Sequence, residues 1–183
     1  MGWGALVMRY FYDTEFIEDG KTIDLISIGV VAEDGREFYR VSFEFDPERA
    51  NEWVKQNVLV HLPSPPTCEN GWSSRSRIKE ELLAFCDVEK HGKPEFWGYY
   101  SAYDHVALCQ LFGIMMDLPN GWPYYTRDLR QWADSLGFTE PLDQYVKAEN
   151  EHHALADAQW NRRVWYWLKQ REYNLVGLQK ALE

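Results

Sequence analysis

The sequence predicts an α/β fold: a mixed five-stranded sheet whose first three strands form an antiparallel meander and whose last two arrive by crossovers, with helices on both faces. Three observations predict it. The first third of the chain holds β-branched and aromatic runs, with Asp34-Gly35 between two of them as a hairpin signal. After Asp46-Pro47 the apolar spacing becomes helical. Beyond that, short strand-like runs alternate with helical stripes, the order that lays crossover helices over a sheet.

Strands are predicted at residues 8–14, 23–33 and 37–45. In the third, Tyr39, Val41, Phe43 and Phe45 alternate with Arg40, Ser42 and Glu44, so one face is apolar. Pro47 suits a first helical position, and Trp53 and Val54 are expected to be buried. Residues 77–87 carry Ile78, Leu82, Leu83 and Phe85 on a helical stripe. Residues 95–100 read as a strand, 104–112 as a helix, 124–126 as a strand and 129–136 as a helix. A long helix follows at 151–169, on which Trp160, Val164 and Trp167 share a face as a packed stripe or a subunit contact. The stretches 62–67 and 117–123, rich in Pro and Gly, read as surface connections.

Composition narrows the function. With 45% hydrophobic and 26% charged residues the chain is neither disordered nor collagen-like. Cys68, Cys86 and Cys109 are widely spaced with no C-x-x-C pair, which argues for buried thiols over a disulfide framework or zinc site. No apolar run approaches the roughly 20 residues that cross a bilayer, and the N-terminus lacks a secretory pattern, so a cytoplasmic protein without a membrane partner is expected. A net charge of −10 disfavours broad adhesion to a nucleic-acid backbone. A phosphate partner would need local help, from basic clusters such as Arg75/Arg77/Lys79 and Arg162/Arg163, or from metal ions held by the acids. Both basic clusters also read as solvated helix faces.

Metal-assisted phosphoryl chemistry requires carboxylates converging from different elements, because hard divalent cations take oxygen ligands. Of the triplets Asp13/Glu15, Asp46/Glu48 and Asp87/Glu89, only the first ends an apolar strand-like run, where residues two apart face the same way. Asp104 opens a helix, where an acid also has a plain role against the macrodipole. His152-His153-Ala154-Leu155-Ala156-Asp157 is the third candidate. On a regular helix Asp157 lies about 140° from His152 and about 40° from His153, so a helix containing all three favours His153. A helix that starts after the pair lets His152 reach in from the preceding loop.

Asp13-Thr14-Glu15-Phe16, Asp104 and the His152-x-Ala154-x-x-Asp157 pattern resemble the motifs of the DEDDh 3′–5′ exonucleases, whose fold is ribonuclease H-like. Residues 10–20, the Ile26-Ser27-Ile28-Gly29-Val30-Val31 strand and Thr126-Arg127-Asp128-Leu129 are similar, more narrowly, to the actinobacterial polyadenylate-specific exoribonucleases. This resemblance runs from about Met8 to the end of the long helix. It leaves residues 1–7 as an N-terminal extension and 8–183 as one exonuclease domain. It implies a 3′–5′ exoribonuclease acting on adenylate-rich single-stranded RNA. Asp13, Glu15, Asp104 and Asp157 would hold two Mg²⁺ ions, with Mn²⁺ as a substitute, and His152 would be the general base. The product would be a nucleoside 5′-monophosphate, and a homodimer is implied.

Around these motifs, Phe16 is the candidate for stacking on a base, with core packing as its competing role. Backbone beside it, at Thr14, could donate to the terminal ribose, and Tyr99, Tyr100 and Tyr103 could line the cleft. His105 is expected to be structural, since Mg²⁺ prefers oxygen. Two other functions fit the same residues, a DNA-directed exonuclease and a catalytically idle RNA-binding module.

Overall fold

The structure is a computed structural model that describes residues 6–182, with side chains as far as Gly177. The three predicted N-terminal strands are β1 (Val7–Glu18), β2 (Ile23–Ala32) and β3 (Glu37–Ser42), paired antiparallel in sequence order. β4 (Trp72–Ser73) joins the outer edge of β3 in parallel. On the other side, β5 (Lys93–Gly98) runs parallel to β1 and β6 (Arg127–Asp128) runs parallel to β5. Among the described residues the order is β4-β3-β2-β1-β5-β6, six strands where five were expected. The additional strand is two residues long, too short to leave an alternation in the sequence.

The expected strand at 124–126 is displaced to Arg127–Asp128, and Tyr124 and Tyr125 are exposed. The aromatic run resembles a strand, but pairing falls to the next two residues. There Arg127 bonds Glu95 at 3.0 Å and lies over the Trp97 ring. Of the expected extension at 1–7, residues 1–5 lie outside the described residues. The Leu6 carbonyl accepts from the Lys93 N–H at 2.8 Å, and Val7 opens β1.

The helices are α1 (Glu52–Asn57), α2 (Arg75–Phe85), α3 (Val88–His91), α4 (Ala102–Gln110), α5 (Leu129–Ser135) and α6 (Ala154–Leu182). Asn51 and Ser74 cap α1 and α2 by accepting from Val54 N–H and Arg77 N–H. Alternation along β1 separates two cores. Tyr10 and Tyr12 pack with Ile78 and Leu82 of α2 and with Ala107 and Leu108 of α4. Phe11, on the opposite face, packs with Leu129 and Ala133 of α5 and with Trp160, Val164, Trp165 and Leu168 of α6. Trp167 packs against this second core too, so the expected stripe is a packed one. Helices therefore cover both faces, as predicted.

Two burial expectations change. Trp53 is 53% exposed, because α1 is only six residues long and turns Val54 inward. Cys86 and Cys109 are buried, whereas Cys68 lies exposed in a short surface 3₁₀ turn. Among the described residues no helix is long and apolar enough to cross a membrane.

Candidate active site

β1 outruns its neighbour. Its pairing with β5 stops at Phe11, while its pairing with β2 continues to Glu18. Asp13 and Glu15 therefore lie within a long strand and not at its end, on the stretch where the β5 side is open. A register shift between Glu15 and Phe16 marks a bulge there, a device that re-aims side chains.

α6 reaches this stretch because Gly29, the β2 partner of Asp13, has no side chain. A Cβ at that position would stand 2.3 Å from the Ala154 carbonyl carbon. The helix thus begins at Ala154, three residues later than expected, and Asp157 faces the strand from its first turn. One ligand oxygen each from Asp13, Glu15 and Asp157 lie within 4.8 Å of one another. Asp104, on the first turn of α4, is 6% exposed, and its Oδ1 accepts from the Thr14 N–H at 2.9 Å and the Thr14 hydroxyl at 2.6 Å. Thr14, expected to touch substrate, lines the cavity and gives both its N–H and its hydroxyl to Asp104. The α4 N-terminus is held to the sheet in turn, with the Ser101 N–H donating to Asp128 at 2.9 Å.

The two histidines part company. His152 has a left-handed backbone, φ 66°, and its ring stands edge-on to Trp53 at 4.7 Å, lining the same cavity as the four acids. His153 stacks on Tyr39 at 4.6 Å, and its Nδ1 accepts from the Ala156 N–H at 3.4 Å. Burial lowers the His153 pKa, which suits a neutral ring accepting a hydrogen bond. The helix starts after the pair, so of the two geometries open in the sequence it is the loop approach by His152 that occurs.

The cavity has a volume of about 500 Å³. Phe16, Tyr99 and Tyr100 line it, while Tyr103 stands 52% exposed at its margin, edge-on to Phe16 at 6.0 Å. Trp53, expected only as a core residue, and Asn161, not singled out in the sequence, also line it. Asn161 follows Asp157 by four residues, a helical spacing that could have flagged it. The basic clusters are not part of the lining. Arg75 pairs with Asp24, Arg77 with Glu81, and Arg162 and Arg163 donate to the backbone carbonyls of Glu33 and Lys147. His105, expected to be structural, does not line the cavity, and its Nε2 stands 3.7 Å from the Cys109 sulfur.

Electrostatically the acids are in conflict. Burial, then repulsion from Asp104, Glu15 and Asp157, raises the Asp13 pKa well above the usual carboxylate range. Burial and the Asp157 and Asp104 charges push Glu15 up to about 8. Burial also lifts Asp104 to about 6, against the two Thr14 hydrogen bonds, and Asp157 to about 6. Among the described residues no Lys, Arg or His forms an ion pair with any of the four. Hard oxygen donors at close range, with no described side-chain cation to offset their repulsion, fit a hard divalent cation.

A family model described as the 3′-5′ exoribonuclease Rv2179c-like domain matches residues 8–169. Two relatives from Mycobacterium tuberculosis are each 53% identical over 152 residues, which is 82% of this chain and 87% of theirs. They are 3′-5′ exoribonuclease Rv2179c of strain ATCC 25618 / H37Rv and 3′-5′ exoribonuclease MT2234.1 of strain CDC 1551 / Oshkosh. Among solved structures, S. pombe Pop2p in its Mg²⁺- and Mn²⁺-bound form aligns with a TM-score of 0.54 at 14% identity, covering 90% of this chain and 84% of that one. The likeness is one of fold, and that fold is ribonuclease H-like.

Proposed function

The chain belongs to the Rv2179c-like 3′-5′ exoribonuclease family, and from that premise we propose that it trims adenylate-rich single-stranded RNA from the 3′ end in a divalent-metal-dependent hydrolysis. The observation that carries the metal reading is the approach of Asp13, Glu15 and Asp157 to within 4.8 Å, with Asp104 held beside them. Asp13, Glu15, Asp104 and Asp157 would hold two cations, Mg²⁺ or Mn²⁺. When bound, these supply Lewis-acid activation of water and charge stabilisation at the leaving 3′ oxygen.

The chain's own residues do the rest. Thr14 fixes one Asp104 oxygen by two hydrogen bonds, so that carboxylate needs no reorganisation as charge develops. His152 accepts the proton of the attacking water at an imidazole nitrogen. A new O–P bond forms, the P–O3′ bond breaks and the 3′ oxygen leaves with a proton from solvent. This yields a nucleoside 5′-monophosphate and an RNA one residue shorter. Phe16 offers a face to a base, with Tyr103 bracing its edge. Tyr99 and Tyr100 border the same space.

The adenylate preference rests on the likeness of this chain's own residues 10–20, 26–31 and 126–129 to polyadenylate-specific exoribonucleases and is the finest part of the proposal. We place the protein in the cytoplasm, as a homodimer, with residues 8–183 as one domain. The deciding experiment incubates purified protein with Mg²⁺ and 3′-tailed RNAs of A, C, G or U, alongside a DNA counterpart. The expected result is release of 5′-monophosphates, fastest from the A tail, and none from Asp13→Ala protein. Undiminished hydrolysis by Asp13→Ala would remove the acids from the mechanism. Equal rates on RNA and DNA would favour a general exonuclease.

A further inference from the structure

Asn161 is 1% exposed, lines the acid cavity and sits one helical turn beyond Asp157. Its Nδ2 donates to the Tyr12 carbonyl at 3.0 Å. Tyr12 directly precedes Asp13. A Cβ on Gly98 would come within 3.4 Å of that carbonyl, which therefore faces the β5 side just past the last β1–β5 pair. There the ladder supplies no donor, and Asn161 does. A carbonyl can only accept, so the amide orientation is fixed and Oδ1 must point away from Tyr12. That oxygen is buried and has no hydrogen-bond partner among the described residues. A buried unpaired acceptor is rare enough to need a cause.

We infer that Asn161 is a positioning residue for the metal site, its amide NH₂ pinning the strand beside Asp13 to the helix that carries Asp157, and its Oδ1 accepting from a water or hydroxyl donor held in the filled cavity. The inference rests on the reading that the four acids bind divalent cations. Both ends of the amide serve one geometry. The donor end sets the gap between Asp13 and Asp157 across two elements far apart in sequence. The acceptor end has work to do only when a hydrated cation brings a donor into reach. Neutrality matters here: a fifth carboxylate would deepen the repulsion among four acids that no side-chain cation among the described residues offsets.

The test is Mn²⁺ binding by the intact protein, followed by electron paramagnetic resonance of the free ion and by calorimetry, with no substrate present. Three variants are compared with wild type. Asn161→Leu keeps the branched shape and the heavy-atom count and removes both polar ends. Asn161→Ala removes them without risk of overpacking. Val164→Ala loosens α6 in the core, where Val164 is fully buried, without touching a polar group of the site. Both Asn161 variants are expected to bind Mn²⁺ about 10- to 100-fold more weakly, the usual effect of losing a supporting partner behind metal ligands. Val164→Ala should lower the melting temperature yet bind as wild type does. Wild-type affinity in either Asn161 variant overturns the inference, as does an equal loss in Val164→Ala, which would make the effect one of general loosening. Absence of Mn²⁺ binding by the wild type overturns the metal reading itself.

Discussion

His152 and His153 are adjacent and chemically identical, yet their surroundings assign them different work. His153 is stacked on Tyr39 and accepts from a helix N–H, so its replacement by Ala should cost stability more than rate. His152→Ala should cost roughly 10²- to 10⁴-fold in kcat, the range for loss of a general base. A larger rate loss at His153, measured under saturating RNA, would reverse the assignment. The acids make a second prediction. Each holds its proton more tightly in the folded chain than in an unfolded one, where carboxyls titrate near pH 4. Between about pH 4 and the Glu15 value of about 8 the folded state binds more protons, so metal-free stability falls as pH rises. Thermal unfolding with chelator should show that decline, and Mg²⁺ should raise the melting temperature more at pH 8 than at pH 5. An equal Mg²⁺ effect at both values would mean that cations and protons do not compete for this site.

At the scale of elements, the site depends on where strands stop and helices begin. Gly29→Ala would drive a Cβ into the α6 backbone at 2.3 Å, with backbone on both sides and no flexible atom to yield. A destabilisation of about 1–3 kcal/mol is expected, with activity falling further than stability as Asp157 retreats. Thr14→Val removes one of the two hydrogen bonds to Asp104 and should cost about 1.5–3 kcal/mol. It should also raise the Asp104 pKa further and so move the acidic limb of activity to higher pH, since the ionised carboxylate is the form that holds a cation. Such dependencies explain what was legible beforehand. The meander, the helical stripes and the acid motifs were readable because period and residue type are local properties. The β4 pairing, the true position of β6 and the start of α6 were not, since each is decided by contacts between distant segments. Trp53 was misjudged for the same reason: its class favours burial, but the short α1 has room to bury only Val54.

At the scale of the molecule, the last buried residue of α6 among the described side chains is Leu168, while the helix continues to Leu182. Tyr173, Leu175 and Val176 are exposed along that continuation. Ending the chain after Glu172 keeps the Glu172 contact to Trp132, and the isolated fold should lose no more than about 0.5 kcal/mol. If the proposed homodimer uses this stretch, the same truncation will shift the sedimentation profile toward monomer while leaving the unfolding midpoint nearly unchanged at high dilution. The family match ends at residue 169, next to Leu168, the last buried side chain described on α6. The fold and the candidate acids could thus be read from sequence, whereas for Asn161 the only signal was its four-residue spacing from Asp157, and its bond to the Tyr12 carbonyl needed the folded chain.

A left-handed backbone at a residue with a side chain costs on the order of 1–2 kcal/mol, and His152 carries that cost at φ 66°. Evolution toward mere robustness would place glycine there. His152→Gly should accordingly melt later than the natural protein while losing its hydrolytic rate, so a screen that rewards heat resistance alone would select an inert enzyme.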